Sequence, residues 1–166
     1  MQFLTAKSLL YGRVIFLLTI SFYLVKDPEF LSTIGFVVIL GQAMELPFVR
    51  LDSNNPLLGL LAITFGSLAL SDVVPLIANN LDYFESLVPI RLSIAFGIAS
   101  YTYFFKDSII SNGLIFTFSF FEIWINFLIY NNLRDEKYYR VKKYIEENAD
   151  AIRQAQDDQV IVVEND

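Results

Sequence analysis

The chain has 166 residues, 55% of them hydrophobic, with a mean hydropathy of +0.50 and a formal net charge of −6; a soluble domain is nearer about 45–50% apolar. It contains neither cysteine nor histidine, which excludes disulfides, thiolate metal sites, cysteine nucleophiles and imidazole bases. The acidic balance and the lack of a large basic patch argue against a nucleic-acid partner.

Residues 1–133 carry six Lys/Arg and nine Asp/Glu, and residues 134–166 carry the same numbers again. That step in charge density divides the chain into a membrane region, 1–133, and a polar tail, 134–166. The first apolar run, Ser8–Val25, is interrupted by Arg13 and followed by no small-x-small cleavage site, so it reads as a span rather than a cleaved signal. The second, Leu31–Val49, carries Gln42, Glu45 and Pro47 in its last third. The third, fourth and fifth are Leu57–Ala78, Phe84–Phe105 and Ile109–Tyr130. Each is near the ~20 residues that cross a hydrocarbon core, and none alternates apolar and polar positions as a strand would. The connections "KDPEF", "RLDSNNP", "NNLDY" and "KDS" are short and rich in turn residues, which makes neighbouring segments antiparallel hairpins. The expected fold is all-α: a polytopic transmembrane helix bundle of five spans, or of four if the second segment is re-entrant.

Arg134, Lys137, Arg140, Lys142 and Lys143 follow the last segment and outnumber the basic residues of any other connection. The positive-inside rule therefore puts the tail in the cytosol. Five spans leave the N-terminus on the opposite side; four bring it to the cytosol. The tail has Tyr138, Val141, Ile145, Ala149 and Ile152 at helical spacing, with Lys142–Glu146 and Lys143–Glu147 as i,i+4 pairs, and reads as a helix to about residue 156. "DDQVIVVEND" then forms an acidic end, either disordered or an extended peptide that adds to a partner's sheet.

Counting along helices sorts the membrane charges by depth. Arg91 lies 15 residues before Lys106 and Glu122 lies 15 after Asp107, so both sit roughly 22 Å from that turn. Asp72 and Arg91 lie nine and ten residues on either side of Leu81. Asp72, Arg91, Glu122 and Asn126 are thus expected to form one intramembrane polar layer toward the cytosolic side. Within it Glu122 pairs with Arg91, and Asp72 is a second carboxylate in reach. Arg13 and Glu45, each 16 residues from Glu29, make a second candidate pair near the opposite face, with snorkelling of Arg13 as a competing account. Ser119, Glu122, Asn126 and Tyr130 form a polar stripe on the last segment, and Thr64, Ser67 and Ser71 a similar line on the third. Gly35, Gly41, Gly59, Gly66 and Gly97 offer points of close helix approach.

The layer reads in two ways. It is an ion path, a proton site or a lipid-headgroup pocket, or else a static set of interhelical salt bridges; a net charge of −1 with no histidine relay favours the second. No phosphate-cradling glycine loop, His-based metal cluster or Ser–His arrangement is present, so no catalytic residue, cofactor or metal site is assigned and an enzyme is not expected. The 25 Phe and Tyr residues serve as lipid-facing filler and interfacial anchors.

"VILGQAMELP" (38–47), "DVVPLIANNLDYFESLVPIRL" (72–92) and "FFEIWINFLIYNNLRDEKYY" (120–139) together resemble the fungal "increased loss of mitochondrial DNA" membrane proteins. The resemblance covers nearly all of the membrane region and fades in the tail. It implies an endoplasmic reticulum membrane protein with a mitochondrial-genome phenotype, and it transfers no catalytic residue. Three functions compete: a non-catalytic subunit or scaffold of an ER membrane complex that handles lipid, with an indirect effect on mitochondrial DNA maintenance; a lipid-binding or lipid-transport protein with its headgroup site in the polar layer; and an ion channel. The partners implied are membrane lipids and a larger membrane protein.

Overall fold

In the computed structural model, which describes residues 5–149, the chain forms six helices. They are α1 (Ala6–Lys26), α2 (Pro28–Thr33), α3 (Gly35–Ala43), α4 (Leu57–Ile77), α5 (Leu81–Phe104) and α6 (Gly113–Glu147). Most of their starts are set by short polar side chains that accept the first free backbone N–H groups. Thr5 accepts from the Ser8 amide, Asp27 from Phe30, Asn80 from Tyr83 and Asn112 from Ile115. No strand occurs among the described residues.

Four helices, α1, α4, α5 and α6, are long and apolar enough to cross a membrane. The fifth span expected over Leu31–Val49 is not formed. α2 and α3 have six and nine residues, and nine residues rise only about 14 Å, against a hydrocarbon core of ~30 Å. Two features break the segment. Ile34 is extended between the two short helices. Glu45 takes a positive φ of 54° and closes α3: the Leu46 amide bonds the Gly41 carbonyl at 2.9 Å and the Glu45 amide bonds that of Gln42 at 3.0 Å. This is the Schellman arrangement, which ends a helix by turning its last carbonyls back onto the next two amides. Asn79 ends α4 in the same way.

With four long helices, the start of α1 and the polar extension of α6 lie on the same side. The Ala6 amide donates to Glu136 at 2.8 Å and the Lys7 ammonium to Asn79 at 2.6 Å. α1 packs along α4 and α5 along α6, while α1 also meets α6 and α3 lies on α6. α4 and α5 are neighbours in sequence but touch little, so this expected hairpin is a loose one. α6 runs unbroken from the apolar region into the polar one. The tail helix expected to about residue 156 is present as far as Glu147, as the end of α6; its remainder from residue 150 and the acidic end after it lie outside the described residues.

Three apolar clusters stack along the bundle. Leu10, Leu76, Phe84 and Ile129 fill the tail side, Val14, Leu17 and Ala69 the middle, and Leu24, Leu58 and Ala62 the far side. Small residues on α4 let α1 approach, and the Ser21 hydroxyl reaches the Ala62 carbonyl at 2.8 Å. Of the five glycines expected at close approaches, Gly35, Gly59 and Gly97 have open space where a side chain would go. Gly41 is the tight one: a Cβ there would lie 3.3 Å from the Cα of Gly113, so α3 and α6 cross backbone to backbone.

Gly41→Val should therefore lower the melting temperature in detergent, because overpacking costs about 1–3 kcal/mol. Gly97→Ala should leave it unchanged or raise it, since a helix gains about 0.5–1 kcal/mol when Gly becomes Ala. Equal behaviour of the two variants in a thermal-shift series would show that α3 is not seated on α6.

Candidate functional site

Between the tail-side and middle clusters lies a layer of charge, with one ion from each long helix. Arg13 sits between Leu10 and Val14 on α1, and Asp72 between Ala69 and Leu76 on α4. Glu122 comes from α6 and Arg91 from α5. Arg13, Asp72 and Glu122 are buried, and the Arg91 side chain is 17% exposed. The Arg13 guanidinium donates through Nε and Nη2 to Glu122 Oε2, at 3.1 and 3.0 Å, and through Nη1 to Asp72 Oδ2. Arg91 grips Asp72 with two bonds, Nη1 to Oδ2 at 3.0 Å and Nη2 to Oδ1 at 2.5 Å. Asn126 donates to Glu122 Oε2 at 2.8 Å and to the Glu122 carbonyl at 2.7 Å.

The structure thus brings Asp72, Arg91, Glu122 and Asn126 together but pairs them differently from expectation. Glu122 is met by Arg13, and Arg91 is met by Asp72. Arg13 is the member that sequence counting misplaced. In a five-span chain it lies near the face opposite the tail; in a four-span chain it lies seven residues in from the tail-side start of α1, level with Asp72, which is five residues before the end of α4. Counting from the N-terminus under four spans was the signal that could have found it. The expected Arg13–Glu45 pair is not formed. Glu45, held at the left-handed end of α3, bonds Lys106 at 2.8 Å on the exposed far side. The hydrogen bond and positive charge of Lys106 hold the Glu45 carboxyl below the usual carboxylate range.

The polar stripes are corrected as well. Ser119, Glu122 and Asn126 are buried, but Tyr130 is exposed and Ile129 takes the inward position. Ile129 follows Glu122 by seven residues, within about 20° of the same face, whereas eight residues turn the chain about 80° away. Thr64, Ser67 and Ser71 face outward; each hydroxyl donates to a carbonyl of its own helix, to Leu60, Thr64 and Ser67 respectively, which satisfies it against an apolar surrounding.

With Arg13 included, the layer holds two cations and two carboxylates, and its formal charge is zero. Every ion has an opposite charge in contact, so the layer has no free cation for an anionic headgroup. Two acceptors within it, Glu122 Oε1 and Asn126 Oδ1, have no hydrogen-bond partner. Removing one ion of a buried set costs about 3–5 kcal/mol because its partner is left uncompensated. Arg13→Met should be the most destabilising single change, since it strips Glu122 of its counter-ion. The Arg13→Met/Glu122→Gln pair should be milder than the sum of its singles, and Arg91→Met milder than Arg13→Met because Asp72 keeps Arg13 as its counter-ion. Additive effects in a double-mutant cycle on detergent stability would refute the Arg13–Glu122 contact.

The family description "Increased loss of mitochondrial DNA protein 1" (Ilm1) matches residues 4–143, a stretch that contains all four ions of the layer. Protein ILM1 of Saccharomyces cerevisiae is 38% identical over 137 residues, which cover 82% of this chain and 68% of that one. Protein ilm1 of Schizosaccharomyces pombe is 30% identical over 126 residues, covering 74% of this chain and 78% of the relative. No solved structure matches the chain. On the extent of these matches, the chain is a membrane protein that belongs to the Ilm1 family.

Proposed function

We propose that the protein is a non-catalytic subunit or scaffold of a lipid-handling complex in the endoplasmic reticulum membrane, with its tail in the cytosol and an indirect effect on mitochondrial genome maintenance. The observation that carries this reading is the closure of the charge layer. Its four ions neutralise one another across four helices, so that each is already engaged by an opposite charge. The same closure weighs against an ion channel, because a conducting path needs charges or carbonyls that face water. The reading is supported by the polar extension of α6, where Tyr138, Val141 and Ile145 are exposed on one helical stripe that would suit a partner. A lipid-binding protein is the second reading, favoured by an apolar cavity away from the layer.

Purification in a mild detergent, followed by mass spectrometry, tests the subunit reading. A larger membrane protein should accompany the chain in fixed ratio and be lost from the Tyr138→Asp/Ile145→Asp variant, while that variant keeps its melting temperature. A chain that runs alone, at its own mass, in every detergent would count against it.

The four-span arrangement makes a separate prediction about sidedness. Glycosylation acceptors added before Met1 and after Asp166 should both stay unmodified in microsomes, whereas one inserted in the α3–α4 connection near Asn54 should be modified. Modification of only one of the two end acceptors would demand an odd number of spans.

A further inference from the structure

One face of α6 stays open along most of the helix and continues from the apolar region into the polar extension. Phe120, Trp124 and Phe127 lie on it in the membrane part, and Tyr138, Val141 and Ile145 beyond; each is 41–64% exposed. Asn131 and Arg134 join the two halves. Along the whole row the spacing alternates between four residues and three, the repeat that keeps one side of a helix turned toward a neighbouring helix. Lipid can cover the membrane half. The other half carries the same row into water, which leaves its apolar side chains bare.

Two polar residues interrupt the row, and they limit which neighbour it can take. The Asn131 side chain is half-buried and makes no hydrogen bond among the described residues. Asn126 and Asn132, on the same helix, each bond the carbonyl four residues back. Arg134 rests loosely on Asp135 at 3.6 Å. The cations beside the row are engaged within the chain, Lys137 by Glu85 and Lys142 by Glu146. The face therefore offers no spare charge to an ionic ligand. What it offers is an open amide within an apolar row.

We propose that this face pairs with the same face of a second copy of the chain, about a two-fold axis along the bilayer normal. Copies inserted in one membrane share their orientation, so their α6 helices meet in parallel and each residue of the row meets itself at its own depth. The occupant must therefore be self-complementary at every level, and the row is. Aromatic residues meet aromatic residues, Val141 and Ile145 meet their equals, and the Asn131 amide, donor and acceptor at once, satisfies its twin. A single asparagine at such a position fixes register and strand number in coiled coils. Arg134 meets a like charge, and the copy's Asp135, the next residue on that helix, is the carboxylate that answers it. A fully exposed aromatic side chain offers about 150–250 Å², so the four aromatics of the row expose roughly 400 Å² per copy. With Val141 and Ile145 added, the row reaches the about 500 Å² a side that the smallest specific interfaces need. The pairing goes beyond the subunit reading and does not require it: it needs only the chain, and a larger partner would then meet paired tails.

The chain has no cysteine, so a single introduced cysteine reports one position. In phosphatidylcholine liposomes that hold the full chain alone, oxidation should link two copies through Phe127→Cys, Val141→Cys or Ile145→Cys. Tyr139→Cys and Ile63→Cys, exposed but off the row, should give no link above the level of chance collision. In the Ile145→Cys background, Asn131→Asp sets two carboxylates against each other and should cut linking about tenfold. Mixing those copies with Asn131→Lys copies should restore it, which a misfolded variant could not do. Equal linking at Tyr139 and Ile145, or a single-chain mass in native mass spectrometry from the same liposomes, would overturn the pairing. Failure of the mixed copies to recover would overturn the amide contact. Seam cysteines that link to a different protein in native membranes, and not to each other in liposomes, would assign the face to that protein instead. A larger protein in the detergent purification bears on the subunit reading alone, and links in liposomes that contain nothing else bear on the pairing alone.

Discussion

Two guanidinium groups and two carboxylates lie at one depth inside an apolar bundle, and the arrangement of the four long helices follows from the need to keep them together. Each ion comes from a different helix, and stripping one of water costs several kcal/mol after relaxation. That cost is recovered only when an opposite charge meets it with good geometry. A slip of one residue along any helix moves its ion about 1.5 Å and turns it about 100°, which would take it out of reach. An apolar layer of equal volume would tolerate such slips. What the ions add is therefore register, and it is most evident between α4 and α5: these helices touch little along their length, yet the two bonds from Arg91 to Asp72 fasten them at a defined level.

How much of this could be read from residues alone depended on unbroken helices. Asp72 and Arg91 could be set at one level because α4 and α5 run without interruption to a three-residue turn, so residue counts convert directly into depth. For Glu122 the count converts only coarsely, because the eight residues 105–112 separate α5 from α6. Arg13 could not be placed, because its depth depends on which side the N-terminus occupies, and that depends on the number of spans. The apolar content of 31–49 favours a fifth span. Against it stand local backbone features, an extended Ile34 and a left-handed Glu45, and neither residue type announces such a conformation. The pairing error for Glu45 is the same error seen at another residue.

The side-chain stripes show a different limit. Thr64, Ser67 and Ser71 look like an inward line because polar groups in a membrane need partners, but the partners are the carbonyls of their own helix. Hydroxyls can be satisfied in this way and so face lipid; a carboxylate or guanidinium cannot, and all four ionic residues face one another. Ionic residues therefore report the bundle interior, and serine and threonine do not. By the same reasoning a threonine that fails to bond its own helix stands out, as Thr117 does once the coordinates show it.

The layer also separates two halves of unequal rigidity. On the tail side, Leu10, Leu76, Phe84 and Ile129 close the core, and the α1 start is held by direct bonds to Glu136 and Asn79. On the far side, two short helices and an irregular segment stand in for a fifth span. Their polar ties, Arg50 to Glu29 and Lys106 to Glu45, are exposed, and water and salt screen such pairs so that they add little. The seating of α3 on α6 through Gly41 and Gly113 is the firmer hold there. An apolar cavity between α1, α4 and α6 sits in this looser half, and its inner wall is continuous with the ions: Phe16 is one turn from Arg13 on α1, and Phe118 one turn from Glu122 on α6. The contact that fixes α1 against α6 therefore also fixes how far apart the cavity walls stand, and the charge layer forms the floor of that cavity.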